Sequence, residues 1–305
     1  MHFARTEEQD ELAATVRALL AKRSGSEAVR AAVASEAGYD EALWTALCEQ
    51  IGVAALAVPE EHDGFGASLV ETAVVLEVLG EFLTPAPLLA TAVHTAHLLL
   101  EGTAEERAEL LPRLAAGEVV PFAIGRVVLE PASEAAATRS MDQTLRLAVT
   151  DVPVERSAEV RAISTALTSA LQVGAMQRAL DMTVSYSKER VQFGRQIGSF
   201  QALKHRMADM LVLTEASRSA SWGATAVAAA YIADPSAANS ARLLRLAAVA
   251  GSYCSDALDH VAGEMVQLHG GIAITWEHDA HLVFKRAHAL SVLNGAAHVQ
   301  RASLI

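Results

Sequence analysis

Cysteine, proline and aromatic residues are scarce in this chain of 305 residues, and it has no apolar run long enough to cross a membrane. Cys48 and Cys254 are too few and too far apart for a disulfide framework, and no zinc-ligand spacing includes them. Eight prolines and an aromatic content of 5% favour helices over a strand-rich fold. The most apolar run, LLATAVHTAHLLL at residues 88–100, is shorter than a membrane span and contains two histidines. The start of the chain is acidic and amphipathic, unlike a signal peptide, so we expect a cytoplasmic protein without a membrane segment.

Positive charge is also in short supply, because 24 Lys and Arg residues face 36 Asp and Glu residues. The resulting net charge of −12 argues against non-specific binding to nucleic acid, since a phosphate backbone would be repelled. Single arginines and helix N-termini can still hold an anionic ligand locally. A hydrophobic content of 52% with 20% charged residues is typical of a globular protein.

Helical periodicity covers both ends of the chain, so the predicted fold class is mainly α. We predict an N-terminal helical domain at residues 1–116, with its first helix capped by Thr6. Residues 117–159 contain VVPFAIGRVVLE and TLRLAVTDVPV, whose β-branched residues predict a small β segment. Residues 160–305 then form a predicted four-helix bundle. The predicted helices span 6–22, 43–51, 69–83, 87–100, 104–116, 160–189, 200–233, 236–268 and 277–301.

The stretch KERVQFGRQIGSFQ, residues 188–201, interrupts the bundle between its first two helices. It could be a plain joint, with Gly194 and Gly198 as turn residues and the aromatics as plugs. It could also be a binding element. In that case Arg190 and Gln192 face a phosphate, while Phe193 and Phe200 pack against flat rings.

A second motif, EMVQLHGGIAITWEHDAHLVFKRA, follows at residues 264–287. Its Gly270-Gly271 pair allows close backbone approach and positive φ, and bare amides at such a joint suit an anion or a nucleotide. The nearby histidines raise a metal hypothesis, because positions 278 and 281 share a helix face. No zinc-protease signature is present, and a solvated, charged helix start explains WEHD equally well, so we predict no metal site. The residues concerned are His269, His278, Asp279, His281 and His288.

Together, ERVQFGRQIGSFQ and QLHGGIAITWEHDAHLVFKRA resemble the acyl-CoA dehydrogenase family of flavoproteins. LAVPEEHDGFGAS and LLPRLAAGE resemble its N-terminal helical domain, so the resemblance covers nearly the whole chain. It implies an N-terminal helical domain, a central β-domain, a C-terminal four-helix bundle, and FAD bound at a dimer interface. Position by position, the arginine that meets the FAD pyrophosphate falls on Arg190, followed by Gln192 and Phe193, with Phe200 and Gln201 at the next contact. The segment that reaches FAD from the neighbouring subunit falls on Gln267, Leu268, His269, Gly270 and Gly271.

The resemblance fails at the catalytic base. These enzymes remove the α-proton of an acyl thioester with a carboxylate while the flavin takes the β-hydride, and only an aligned base can take a proton from carbon. In most members the base is a Glu in a YEG-like motif, and the matching position in SVLNGAAHVQR is Asn294. A minority place it at the start of the first bundle helix, which here is Ser164, beside Thr165 where many members have Arg. We predict no catalytic residue in this chain.

A shortened middle segment and a missing base suggest one half of a pair. The family includes actinobacterial heterotetramers that combine a catalytic with a degenerate subunit and act on steroid-derived or similarly bulky CoA thioesters. The resemblance therefore implies an α2β2 hetero-oligomer with a full-length acyl-CoA dehydrogenase subunit. That partner would supply the base and bind most of the acyl-CoA, and electron-transfer flavoprotein would be the acceptor.

Two alternatives stay open. An active homo-oligomer could use a relocated base, for which Glu264, Glu277 and Asp279 lie nearest the second motif in sequence. A flavin-free scaffold or interaction protein could keep the helices through core packing alone.

Overall fold

The N-terminal helices begin at strong local start signals. The computed structural model describes residues 5–131 and 140–304 and is mainly helical, which confirms the predicted fold class. The helices of this part are α1 (Glu7–Arg23), α2 (Ser26–Ala34), α3 (Glu41–Ala46), α4 (Leu69–Glu81), α5 (Leu88–Glu101) and α6 (Ala104–Ala115). Capping boxes start α1, α4 and α6, because a Ser or Thr side chain accepts a hydrogen bond from a first-turn amide while Gln or Glu accepts one from the cap's own N–H. The pairs are Thr6–Gln9, Ser68–Glu71 and Thr103–Glu106.

Helix α2 is absent from the sequence prediction. It starts after Gly25, which offers no side-chain cap, and its only fully buried residues are Val29 and Ala32. Such a short apolar stripe is a weak signal in the sequence. The predicted helix at 43–51 also differs, since α3 passes into a π-helix at Leu47–Ile51 before Gly52 ends it in the left-handed region.

The middle segment is a two-stranded antiparallel ribbon within the described residues. Strand β1 (Phe122–Leu129) pairs with β2 (Leu147–Val154) from Leu129↔Leu147 to Val127↔Val149, and a bulge at Gly125 shifts the register. A buried ion pair holds the loop before β2 to the C-terminal helices: Arg286 Nε lies 3.3 Å from Asp142 Oδ2, and both side chains are 1% exposed. The ribbon is therefore anchored by charge as well as by packing.

The C-terminal part contains three long helices and two short ones: α7 (Ala158–Glu189), α8 (Gln201–Ala233), α9 (Ala237–His269), α10 (Ala280–Leu293) and α11 (Ala297–Ala302). The predicted fourth run at 277–301 is thus two helices, because Gly295 adopts φ +95° and breaks the hydrogen-bonded spiral. Helix α7 packs against α4, α8 and α9, and one continuous core joins the N-terminal and C-terminal helices. None of the helices in residues 5–131 and 140–304 is long and apolar enough to span a membrane.

Helices α4 and α7 cross at two glycines. A Cβ atom on Gly174 would overlap the carbonyl oxygen of Glu77, and one on Gly80 would overlap that of Leu171. Only glycine permits this approach of two backbones, so Gly80 and Gly174 set the distance between the two helical parts.

Candidate functional site

The two sequence motifs meet in one pocket of about 550 Å³, which we call the cradle. One wall is the joint between α7 and α8, and the other is the end of α9 with the turn that follows it. The predicted residues that line the cradle are Arg190, Gln192, Phe193, Phe200, Gln267, Leu268, His269, Gly270 and Gly271. Gln201 is the exception, since its side chain lies 2.9 Å from His205 and is outside the lining.

The α7–α8 joint is a tight hairpin of β3 (Val191–Gln192) and β4 (Arg195–Gln196). Its two central residues, Phe193 and Gly194, have φ of +52° and +76°, which is the pattern of a type I′ turn. Such turns favour Asn-Gly, and a bulky aromatic residue in the left-handed region is strained. Phe193 is nevertheless 91% exposed, so core packing does not explain its position. Backbone strain of this kind clusters at binding and catalytic sites.

The ring of Phe200 forms the base of the hairpin. Phe193 meets it edge-on with 6.2 Å between ring centroids, and the Arg195 guanidinium lies 3.9 Å from its centroid. Arg190 is the C-cap residue of α7 and is exposed, as is Gln192. The hairpin thus presents one guanidinium, one amide and one free aromatic face on the same side of the joint.

At the opposite wall, α9 ends in a backbone conformation that excludes most side chains. Gly270 has φ +67° and ψ −148°, a region that is essentially restricted to glycine. A Cβ on Gly270 or Gly271 would meet no atom within 4 Å, so the chain's own packing does not require glycine at position 271. Both residues are exposed and leave room for a ligand to approach the backbone, and the Gly270 N–H itself donates to the Val266 carbonyl.

The structure adds residues that the sequence prediction missed, among them Tyr186 and Arg206. Tyr186 lies one helical turn before Arg190, and its ring stacks on His269 with 4.5 Å between centroids. His269 Nδ1 donates to the Met265 carbonyl at 2.8 Å, and burial holds the pKa of His269 below its ordinary value. The i, i+4 spacing from Arg190 was the available signal for Tyr186, whereas the place of Arg206 depends on how α8 packs against α9.

The two positions of the expected base lie side by side and bond to each other. Ser164 Oγ donates to Asn294 Oδ1 at 2.8 Å, and Asn294 Nδ2 donates to Thr168 Oγ1, also at 2.8 Å. The backbone carbonyl of Asn294 accepts from Gln300 Nε2 at 2.5 Å. Both functional groups of the Asn294 amide are therefore engaged inside the chain, and none of these partners is a carboxylate.

The carboxylates considered as relocated bases are poorly suited to proton abstraction. Glu264 lies 2.5 Å from Arg206 Nε, and this hydrogen bond holds the pKa of Glu264 below its ordinary value. Burial acts to raise the pKa of Asp279, but hydrogen bonds from Ser26 and Arg30 outweigh it and the net pKa is lowered. Both groups are weaker bases than a free carboxylate, whereas a catalytic base benefits from a raised pKa. Glu277 is exposed.

Asp279 also corrects one expectation. The sequence predicts a solvated helix start at this position, but the Asp279 side chain is 11% exposed and lies 2.8 Å from Arg30 Nη2 and 3.6 Å from Arg178 Nη2. Arg30 belongs to α2, the helix that the sequence did not reveal, so this ion pair could not be expected. Within the described ranges, no group of three or more His, Cys, Asp or Glu side chains is arranged to hold a metal ion.

Comparison with known proteins assigns the chain to a family. The family description "Acyl-CoA dehydrogenase, N-terminal domain" matches residues 6–118, and "Acyl-CoA dehydrogenase, C-terminal domain" matches residues 161–305. Acyl-CoA dehydrogenase IpdE2 of Mycobacterium tuberculosis is 44% identical over 94% of this chain and 93% of its own length. The chain belongs to the acyl-CoA dehydrogenase family, whose members are oxidoreductases with FAD as cofactor.

Similar relatives and structures agree on the family. IpdE2 of Mycolicibacterium smegmatis is also 44% identical, over 95% of each chain. The structure of the Tcur3481–Tcur3483 steroid ACAD G363A variant matches with a TM-score of 0.79 and 25% identity, covering 98% of this chain and 96% of that one. The ChsE4–ChsE5 complex from Mycobacterium tuberculosis has the same fold, with a TM-score of 0.80 and 23% identity over 99% and 97% of the two chains.

The chemistry of the cradle fits FAD. The exposed guanidinium of Arg190 and the exposed backbone at Gly271 suit an anionic pyrophosphate, whereas Arg206 is already paired with Glu264. The exposed Phe193 suits a flat ring system.

Proposed function

We propose that this chain is a non-catalytic subunit of a FAD-dependent acyl-CoA dehydrogenase. In this proposal it contributes the pyrophosphate side of a FAD site, and a full-length catalytic subunit contributes the base and most of the acyl-CoA pocket. The two chains form an α2β2 hetero-oligomer, with electron-transfer flavoprotein as electron acceptor. The observation that carries the proposal is the pairing of Ser164 with Asn294, because both expected base positions hold groups that cannot abstract a proton.

The exposure of the cradle supports a shared site. Arg190, Gln192, Phe193 and the glycine pair are all exposed, so a ligand held there would be covered on one side only. A cofactor with the size and charge of FAD needs a second wall to exclude water from its rings. A partner chain against this face would provide that wall.

The middle segment supports a bulky substrate. Its described strands are a single two-stranded ribbon, too small to enclose a ligand alone. If this ribbon forms one wall of the partner's acyl pocket, its small size leaves more room in that pocket for the acyl group. The Tcur3481–Tcur3483 protein, a steroid ACAD named by two components, supports both the pairing and a steroid-derived acyl group.

In the assembled enzyme, bound FAD supplies the acceptor for the hydride that leaves the β-carbon of the acyl thioester. This chain's own residues bind and orient the cofactor. Arg190 would neutralise part of the pyrophosphate charge beside the exposed backbone at Gly271, and Phe193 would restrain a flat ring. Tyr186, stacked on His269, packs against the end of α9 from the α7 side of the cradle.

Co-expression tests the pairing. The chain is expressed alone and together with a full-length family member encoded nearby, and native mass and flavin absorbance per subunit are measured. We expect a stable α2β2 assembly and bound flavin only in the co-expressed sample. A yellow, active homo-oligomer from this chain alone would contradict the proposal in favour of a relocated base, and a stable colourless protein in both samples would favour a scaffold.

Substitution of Arg190 tests the cradle. Removing a charge-assisted contact to the pyrophosphate costs about 2 kcal/mol, so Arg190→Ala should weaken flavin binding roughly thirtyfold in the co-expressed enzyme. Lys188→Ala is the matched control, because it removes an exposed cation two residues away that lies outside the cradle. Equal flavin content in both variants would remove Arg190 from the cofactor site.

A further inference from the structure

The segment GGIAITWEHD, residues 270–279, joins α9 to α10, and we call it the wall loop. Its first residues, Gly270 and Gly271, line the cradle. Local packing holds them weakly, because a Cβ on either glycine would meet no atom within 4 Å. Further along the loop, Ala273 is the one residue that is fully buried, and Trp276 is 65% exposed. The position of the wall loop therefore depends largely on what holds its far end.

Charge holds that far end. Asp279 is the N-cap residue of α10, and its Oδ1 accepts hydrogen bonds from Ser26 Oγ at 2.6 Å and Arg30 Nη2 at 2.8 Å. Its other oxygen, Oδ2, lies 3.6 Å from Arg178 Nη2. Ser26 and Arg30 belong to α2, and Arg178 belongs to α7. One carboxylate thus fastens the wall loop to two other helices, through charge-assisted bonds that are stronger than neutral ones.

Ring contacts link this ion pair to the cradle. His278 precedes Asp279 directly, and its ring lies 4.7 Å from that of His269 between centroids. His269 stacks in turn on Tyr186, and both of these rings line the cradle. His278 Nδ1 also accepts a hydrogen bond from the Ala280 N–H at 3.2 Å, which ties the ring to the start of α10. A shift of Asp279 would therefore move a ring that packs against the cradle.

The exposed part of the wall loop leans on the same helices. The Trp276 ring meets His281 of α10 edge-on with 4.6 Å between centroids, and Lys285 Nζ lies 4.4 Å from the centroid of that ring. His281 Nε2 is 3.5 Å from Arg30 Nη2. Arg30 thus lies beside two residues of α10 that support the wall loop.

Helix α2 depends on these bonds as well. It starts after Gly25, which gives no side-chain cap, and Val29 and Ala32 are its fully buried residues. With so little apolar burial, the bonds to Asp279 are a large part of what docks α2. Because coupling between two sites is reciprocal, a change at α2 that weakens its bonds to Asp279 should reach the wall loop.

We propose that Asp279 is a positioning residue of the cradle, which fixes the wall loop from the N-terminal part of the chain by pairing with Arg30. Asp279 lies outside the cradle lining and acts through His278 and through the end of the loop. The effect on the order of the loop stands by itself, whereas the effect on flavin rests on the proposed function.

Hydrogen–deuterium exchange measured by mass spectrometry at constant pH tests the positioning, on the full chain in the assembly in which it is isolated. In Asp279→Asn and in Arg30→Gln, the peptide that covers residues 270–279 should exchange about tenfold faster, roughly the effect of one charge-assisted contact. Arg30 is partly exposed and more than 200 residues before the loop, so its replacement leaves both the loop and the core composition unchanged. Arg30→Lys keeps the charge and should restore most of the protection.

Glu77→Gln is the matched control. Glu77 on α4 is also a buried carboxylate between two arginines, with Arg5 Nη2 at 2.5 Å and Arg218 Nε at 2.9 Å, and it lies outside the cradle lining. If Asp279 only held helices together, both carboxylates would affect the wall loop equally. Glu77→Gln should instead leave the exchange of residues 270–279 unchanged.

Flavin affinity of the co-expressed enzyme is the second measurement. We expect it to fall about tenfold in Asp279→Asn and to stay unchanged in Glu77→Gln. Unchanged loop exchange in both Asp279→Asn and Arg30→Gln, or an equal increase in Glu77→Gln, would overturn the positioning role. Faster loop exchange with full flavin affinity would overturn its link to the cradle. Faster loop exchange in an assembly whose wild type binds no flavin would support the positioning role and contradict the proposed function.

Discussion

Replacing Phe193 with asparagine should make the protein slightly more stable and lower its affinity for flavin. A non-glycine residue in the left-handed region costs about 1–2 kcal/mol, and asparagine tolerates that region far better than an aromatic residue. Phe193 has φ +52° and its neighbour Gly194 has +76°, so the substitution gives the Asn-Gly pair that type I′ turns prefer. We expect about 1 kcal/mol from the relief of strain.

Little packing opposes this gain. The ring is 91% exposed, so about a tenth of its roughly 200 Å² is buried, which is worth about 0.5 kcal/mol at 25 cal/mol per Å². The net change is about 0.5 kcal/mol in favour of the folded state, or about 1–2 °C in Tm. Stacking of an aromatic side chain on a base contributes about 1–3 kcal/mol, so flavin affinity should fall roughly tenfold.

Urea unfolding measures the change in the free energy of unfolding. The flavin retained per subunit after dialysis of the co-expressed enzyme measures the change in flavin affinity. Phe193→Tyr is the matched control, because it keeps both the ring and the strain and should change neither. Loss of stability and flavin together in Phe193→Asn would show that the ring is structural. Full flavin in that variant would show that the ring does not touch the cofactor.

The remaining predictions concern the fold. Asp142→Asn should lower the free energy of unfolding by about 3–5 kcal/mol, because it leaves Arg286 unpaired in the interior. Adding Arg286→Met should recover most of this loss. If denaturant titrations showed instead that the losses of the two single variants add, the prediction would be contradicted. Gly174→Ala should destabilise by about 1–3 kcal/mol through overlap with α4, whereas Gly223→Ala, with open space around it in α8, should stabilise by about 0.5 kcal/mol. Burial lowers the pKa of His94 to about 4. Below pH 6.5, His94 is therefore protonated in the unfolded chain but stays neutral in the folded chain. Stability should therefore fall by up to about 1.4 kcal/mol per pH unit from pH 6.5 towards pH 4, and a shallower slope in His94→Leu, measured by urea unfolding across that range, checks the assignment.

The family and the helical fold class could be predicted from the sequence because both depend on local patterns. Capping signals and apolar periodicity depend on residues a few positions apart, as at Thr6 and Gln9, and the helices start where these signals stand. The residues of each of the two cradle motifs are also contiguous in the chain, so Arg190 and Gly270 could be named as site candidates. The other residues of the cradle could not be predicted from the sequence, since Arg206 reaches the cradle only through the packing of α8 against α9.

Only the tertiary structure decided how the remaining polar residues are used. The sequence alone determined that positions 164 and 294 hold no carboxylate. The fold decided that Ser164 and Asn294, 130 residues apart, bond to each other. It also decided that Asp279 is neutralised by Arg30. The physical reason is that the role of a charged or amide side chain depends on the groups it contacts. When those groups are distant in sequence, helix packing brings them together, and local propensity does not reveal them.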